Sequence, residues 1–320
     1  MSPTRPSSPP RRPGLPRWSS LSSPRLSRAL TGAAGVLALA AAWEAYKALV
    51  PDDGWVLGEA RVLPRTTDVA MPHLWDMFAR AAEPLTSAPD SPPLWLATLG
   101  GAGFTLGVSA VGWVVGVVFG LLVAALMARF VPARAGLLPW VVLSQTVPLI
   151  AIAPLVKRWG AGLDRLDLRG FMVFDWQDWM SVAVIASYLA FFPVSVGALR
   201  GFTSPDAAAD GVRLDLFRAY GVGWWTTFWR LRAPSSVPYL LPALRLAAAN
   251  AVVGTVVAEV STGLRGGLGR MIVEFGASAS ADPAKQWSPI AGAVLVGLAA
   301  TGLVALVALG LRRYRTGETE

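Results

Sequence analysis

From Leu94 to Ala128 the chain carries no charged residue, and Arg129 closes the run. As one helix these residues would reach about 52 Å at 1.5 Å per residue, beyond the ~30 Å hydrocarbon core of a bilayer. Such a run needs lipid as its solvent. The composition agrees: hydrophobic residues are 54% of the 320, charged residues 15%, and the mean hydropathy is +0.50. A soluble domain carries roughly 25% charged residues, and this chain has too few to cover a water-facing surface of that size. There is no cysteine, which excludes disulfides and thiolate chemistry. The single histidine, His73, excludes multi-histidine metal sites. The net charge is +8, but the arginines gather at the ends of apolar runs, which is a topology signal rather than a nucleic-acid footprint.

The pattern predicts an all-α polytopic membrane protein with six transmembrane helices. Residues 1–28, rich in Pro, Ser and Arg, read as a disordered basic tail. The first span is 29–50. Ala40-Ala41-Ala42 resembles a signal cleavage site, but the apolar run continues past it to Val50, so the span is taken as uncleaved. Residues 51–93, acidic and proline-rich, form an extracytoplasmic loop with a short amphipathic helix near His73. Residues 94–312 hold five further spans. The 94–128 run is expected to break at Gly100-Gly101, with Phe104 to Met127 crossing. Within it Gly112, Gly116 and Gly120 fall on one face every four residues, a packing ridge for a neighbouring helix. The third span is Ala135 to Val156, interrupted by Pro139, Pro148 and Pro154. The fourth is Met180 to Leu199, the fifth Pro238 to Val260, the sixth Pro289 to Leu311. Residues 313–320 are a cytoplasmic tail. With the N-terminus inside, the inner segments (1–28, 129–134, 200–234, 312–320) hold 16 bases and 5 acids, and the outer loops (51–93, 157–179, 263–287) hold 10 bases and 13 acids. That bias obeys the positive-inside rule.

The loop 200–234 carries the functional signal. It reads Asp215-Leu216-Phe217-Arg218-Ala219-Tyr220-Gly221, nine further residues, then Leu231-Arg232-Ala233-Pro234. Ser204-Pro205-Asp206 has the form of a helix start. Val212, Leu216 and Tyr220 share a helical face, and Gly221-Val222-Gly223 ends that helix. Trp224, Trp225, Phe228 and Leu231 mark a second short amphipathic helix that Pro234 stops. Aromatics clustered on such a loop suit a groove on a protein partner, or else the lipid headgroups.

The spacing of Asp215, Gly221 and Pro234 resembles the "EAA" signature of ABC importer permeases, although Leu216, Phe217, Leu231 and Ala233 depart from its usual letters. Gln145-x-x-Pro148 with Ala151 and Pro154-Leu155 is similar to the corresponding family segment. So is Pro238-x-x-x-Pro242 with Ala247, Val257-Ala258-Glu259 and Gly267-Leu268-Gly269. The resemblance covers roughly residues 95–312 and is nearest the branch importing nitrate, taurine, aliphatic sulfonates and thiamine-precursor pyrimidines. The tail and the insert 163–179 fall outside it. It implies a type I ABC importer permease fold in a bacterial plasma membrane, with both termini cytoplasmic. It further implies a second permease copy in a homodimer, a cytoplasmic ATPase that grips the loop, and an extracytoplasmic solute-binding protein. The ATPase-coupling residues would be Asp215, Leu216, Ala219, Gly221, Gly223, Trp224, Trp225, Phe228, Leu231 and Pro234. ATP and Mg would be held by the ATPase. This chain has no G-x-x-x-x-G-K-[ST] loop, so no cofactor is expected on it.

Polar side chains inside spans are candidates for the solute path: Ser144, Gln145, Thr146, Ser187, Tyr188, Arg245, Asn250 and Glu259. Each could instead make an interhelical hydrogen bond. Arg245 would attract an anionic solute. An intramembrane enzyme is disfavoured because no acid lies mid-span and His73 lies in a loop. An ion-gradient-driven secondary transporter would call for inverted repeats or buried carboxylates, which the sequence does not display.

Overall fold

The computed structural model describes residues 24–57, 60–165, 176–206 and 211–310. The predicted tail over 1–23, most of the insert 163–179 and the tail 313–320 lie outside the described residues. Two units, 1–66 and 67–320, are described separately. In the first, α1 (Pro24–Leu49) covers the residues of the predicted first span, is not among the described helices long and apolar enough to cross, and starts inside the stretch read as tail. A two-residue ladder pairs Val56–Leu57 with Ala60–Arg61. The Thr66 hydroxyl bonds to the Val50 and Pro51 carbonyls at 3.0 and 3.1 Å, folding the chain back onto the helix end.

The second unit is helical: α2 (Leu74–Ala82), α3 (Leu94–Arg129), α4 (Val131–Leu143), α5 (Leu149–Arg165), α6 (Asp178–Thr203), α7 (Gly211–Ala219), α8 (Trp224–Thr227), α9 (Ala233–Thr262), α10 (Leu268–Ala277) and α11 (Trp287–Gly310). In lipid the backbone must satisfy itself, and a helix does so within one segment. Among the described residues four helices are long and apolar enough to cross: Leu94–Arg129, Asp178–Asp206, Trp224–Thr262 and Trp287–Gly310. A fifth crossing is the pair formed by α4 and α5, bent by 103°.

The helix directions require that bent pair to cross. On α3, Gly112 abuts Ala186 of α6, Gly116 abuts Ala190 and Gly120 abuts Val194. The two series advance together, so α3 and α6 run parallel. The chain must therefore return between them, through α4 and α5. On the other side of α6, Gly197 faces Ala243 and Gly201 faces Ser236, so α9 runs antiparallel to α6. A Cβ on Gly112, Gly116 or Gly120 would lie 2.4 to 2.8 Å from α6 atoms, which makes the predicted ridge a backbone contact rather than a lipid-facing stripe. Ala186, Ala190 and Val194 of α6 then pack with Ala247 and Ala251 of α9, the centre of the core. α11 lies along α9 and α3 through Val296, Ala300 and Val304.

Three expectations are corrected. α3 does not break at Gly100-Gly101: it is one 36-residue helix. A Cβ on Gly101 would meet Met271 Sδ at 2.9 Å, so that glycine serves close approach to α10, not a stop. The third span is not one interrupted helix. Val147, extended at φ −77° and ψ 126°, precedes Pro148, whose ring disfavours the helical region in its predecessor. Pro139 and Pro154 instead sit inside α4 and α5. Pro234 does not stop a helix. Phe228–Arg232 forms a π turn in which the Ala233 N–H reaches the Phe228 carbonyl, and α9 continues through Pro234 without interruption. The widened turn accommodates a proline ring that would strike the carbonyl four residues back in a regular α-helix.

Candidate functional site

The antiparallel turn from α6 to α9 gathers at one end of the bundle with the turn between α3 and α4. Met127, Phe202 and Phe228 pack together there, and the Arg129 guanidinium stands over the Trp224 ring at 5.4 Å. Arg134, Arg200, Arg218 and Arg230 belong to the same end, which makes it strongly basic.

The loop is built in two parts. α7 ends in a full Schellman stop: the Gly221 N–H donates to Arg218 O at 2.9 Å and the Val222 N–H to Phe217 O at 3.0 Å. Gly221 takes φ +66°, a left-handed conformation that costs a glycine little. Leu214 is buried and seats α7, while Val212, Leu216 and Tyr220 are 75%, 53% and 78% exposed. The predicted common face of α7 is therefore its uncovered face. Asp215 pairs with Arg218 at 3.3 Å, both largely exposed, a contact worth little in water. Ala219 is exposed beside them.

The second part begins at Gly223, the N-cap of α8, whose carbonyl accepts from the Thr227 N–H. The structure divides the predicted aromatic set. Phe228 and Leu231 are buried in the helical bundle itself, and Trp224 stacks on Phe228 at 5.1 Å. Pro234 is half-buried in the helix. These side chains hold the loop to the body. The outward aromatics are Trp225 and Trp229, 68% and 66% exposed. Trp229 was not singled out from the sequence, although it stands four residues after Trp225, on the same helical face.

A clasp also missed from the sequence fixes this part. Arg232, 8% exposed, donates Nη2 to Asp206 Oδ1 at 2.8 Å, and Nη1 both to Asp206 Oδ2 at 3.1 Å and to the Phe202 carbonyl at 2.7 Å. Asp206 closes the turn that leaves α6. The Ser204 hydroxyl donates back to Gly201 O at 2.8 Å instead of capping the next helix, a further correction. The sequence signal for the clasp was an arginine wedged between Leu231 and Ala233, at a position that faces inward.

The pathway candidates divide as well. The Tyr188 hydroxyl donates to the Ser144 carbonyl, and Gln145 Nε2 donates to Ser144 Oγ at 3.2 Å, so these three meet at the bend between α4 and α5. Thr146 and Ser187 donate to the carbonyls three residues before them, Leu143 and Val184. Asn250 bonds to the Leu189 carbonyl at 3.4 Å, joining α9 to α6. Arg245 is exposed on an uncovered stripe of α9 with Leu246 and Val253, and has no ion-pair partner among the described residues. Glu259 lies at the opposite end of the bundle and is fully buried, a buried carboxyl group where the sequence reading expected none. Its carboxylate accepts the Gly269 N–H at 2.8 Å and the Thr105 hydroxyl at 2.9 Å, and Thr105 Oγ1 accepts the Leu268 N–H at 3.0 Å. Together they cap α10 and tie it to α3 and α9. The Thr105 partner had no sequence signal, since it lies 154 residues away.

The sequence has relatives among known proteins. The formylaminopyrimidine transport permease ThiX of Halalkalibacterium halodurans is 32% identical over 175 residues, 53% of this chain and 62% of that protein. A "Probable ABC transporter permease protein" of Haemophilus influenzae is 29% identical over 172 residues, 53% of this chain and 62% of its own length. A Bacillus subtilis permease named for aliphatic sulfonates transport, SsuC, is 27% identical over 166 residues, 52% of this chain and 53% of that protein. Each match spans less than two thirds of the relative. All three names describe transport permeases, and one names an ABC transporter. Residues 116–315, which run from the glycine ridge of α3 through the clasped loop to the end of α11, match the profile of such proteins as a whole. The chain therefore belongs to the family described as the binding-protein-dependent transport system inner membrane component.

Proposed function

We propose that this chain is the permease subunit of an ATP-driven importer, in which a separate cytoplasmic ATPase grips residues 211–232. The carrying observation is the clasped loop. Trp225 and Trp229 are presented outward on a helix that Arg232 and Asp206 hold rigidly to α6, so a push on the loop reaches the spans α6 and α9 directly. ATP and Mg belong to the ATPase. A second copy of the chain completes the pathway, and a solute-binding protein delivers at the other end, where Glu259 fixes α10. The basic loop end faces the cytoplasm by the positive-inside rule, with both termini on that side of the inner membrane.

The solute is small and anionic or heterocyclic. Two relatives are named for formylaminopyrimidine and for aliphatic sulfonates, which supports that class. Arg245 supports an anion: an unpaired guanidinium in a span costs ~2.5–3.5 kcal/mol at the helix centre, a cost that a solute anion would offset. Thermal-shift screening of the cognate binding protein against sulfonates, taurine, nitrate and pyrimidine precursors names the solute. Transport is then measured in proteoliposomes with the ATPase and binding protein present. It should stop when ATP hydrolysis is blocked while ion gradients are kept. Persistence under that block would establish the ion-driven alternative. Arg245→Ala should lower uptake of an anionic solute at equal protein level, and unchanged uptake removes Arg245 from the pathway.

A further inference from the structure

We infer that α2 is an interfacial helix that seats Trp75 and Phe78 in the lipid headgroup layer at the α10 end of the molecule. None of its nine residues is buried. Trp75, Phe78 and Ala82 recur at i, i+3 and i+7 on one face. Asp76, Arg80 and Glu83 recur at i, i+4 and i+7 on the other. Trp75 is 59% and Phe78 78% exposed.

Its height is fixed by four contacts. Arg80 Nε pairs with Asp282 Oδ2 at 2.7 Å, Arg80 Nη1 donates to Pro84 O at 3.0 Å, the Leu94 N–H donates to Glu83 O at 2.9 Å, and Lys285 Nζ donates to Leu85 O at 2.9 Å. These tie α2 to the start of α3 and to the turns before α11. α11 is 24 residues, about 36 Å, little longer than the ~30 Å hydrocarbon core, so its first turn marks the hydrocarbon boundary. That turn is level with Thr98, whose hydroxyl is 3.2 Å from that of Ser288. Leu94 lies one turn further out, about 6 Å. α2 is therefore held where headgroups lie. Trp95 is exposed at the same level, and Leu96 and Leu99 continue the apolar surface down α3. The Arg80 side turns toward the body through Asp282, so the aromatic face, about 200° around the helix at 100° per residue, turns outward to the lipid that surrounds α3 and α11. An aromatic face backed by charges at this depth is the pattern of a helix lying in the interface. The inference depends on the spans alone and holds whichever end is cytoplasmic.

The native chain has no cysteine, so single-cysteine variants carry a nitroxide label cleanly. Phe78→Cys and Asp76→Cys are labelled, and the permease, assembled with its ATPase, is placed in nanodiscs of phosphatidylcholine and phosphatidylglycerol. Collision of the label with oxygen and with a water-soluble nickel chelate is then measured. The oxygen-to-nickel accessibility ratio at position 78 is expected to exceed that at 76 several-fold, without any binding protein present. Equal ratios would overturn the inference. So would a position 78 that loses nickel access only when the binding protein is added, since the face would then dock that protein.

Discussion

At Arg232 the contribution of a residue depends on which partner is buried. The guanidinium side is 9% exposed and the Asp206 side chain 43%. Removing the arginine leaves a carboxylate that water can reach. Removing the aspartate strands a buried cation with one carbonyl. Arg232→Met should therefore cost about 1–2 kcal/mol and Asp206→Ala about 3 kcal/mol, with the double variant recovering part of the loss. Thermal unfolding in detergent measures all three, and the reverse order would contradict the clasp. Gly221 acts differently. A Cβ there meets nothing within 4 Å, so the strain of Gly221→Ala comes from φ +66° alone, about 1 kcal/mol. The variant should insert and fold normally yet lose solute-stimulated ATP hydrolysis by the assembled transporter, and Gly221→Asn should restore part of it, since asparagine tolerates the left-handed region. Both roles differ in legibility. The glycine was readable because its conformation is local. The clasp was not, because Asp206 and Arg232 meet only once α6 and α9 are packed.

At the scale of elements, the contact between α3 and α6 is the least forgiving. Gly116→Leu would place its Cβ 2.7 Å from the Ser187 carbonyl and from Ala190. Backbone cannot yield as a flexible side chain does, so the helices must separate, at a cost above the 1–3 kcal/mol usual for overpacking. The variant should insert but fail to yield monodisperse protein in detergent, whereas Gly107→Leu, whose Cβ would meet nothing within 4 Å, should behave as the native chain. The four-residue spacing of the ridge was visible in the sequence because it follows helical geometry. The continuity of α3 through Gly100-Gly101 was not, because whether a glycine pair breaks a helix or admits a neighbour depends on Met271 lying beside Gly101. The bend at Pro148 and the passage through Pro234 differ for the same kind of reason. Val147 is free to extend, while the π turn before Pro234 is held by Phe228 and Leu231 in the core.

For the whole molecule, the parallel α3 and α6 and the antiparallel α9 place the 200–232 loop and the α10 turn at opposite ends. Single cysteines introduced for Trp229 and for Ala279 should therefore react with impermeant reagents from opposite sides of the membrane, the former only from the cytoplasm and only until the ATPase binds. Labelling of both from one side would refute the topology. Protection of the Trp229 position by the ATPase, with no protection at Ala279, would support the assigned grip.

The apolar runs, the arginine bias and the Asp215, Gly221 and Pro234 spacing are properties of the chain read in one dimension. They suffice for the class of protein, because lipid imposes helices on apolar runs, and the charge bias supports the proposed side of the loop. Which loop aromatics point outward, that Glu259 caps α10 with Thr105, and that Arg245 stays uncovered were decided only by packing. Each depends on residues far apart in sequence meeting across parallel and antiparallel helices, and periodicity along one helix carries no information about what its neighbour presents.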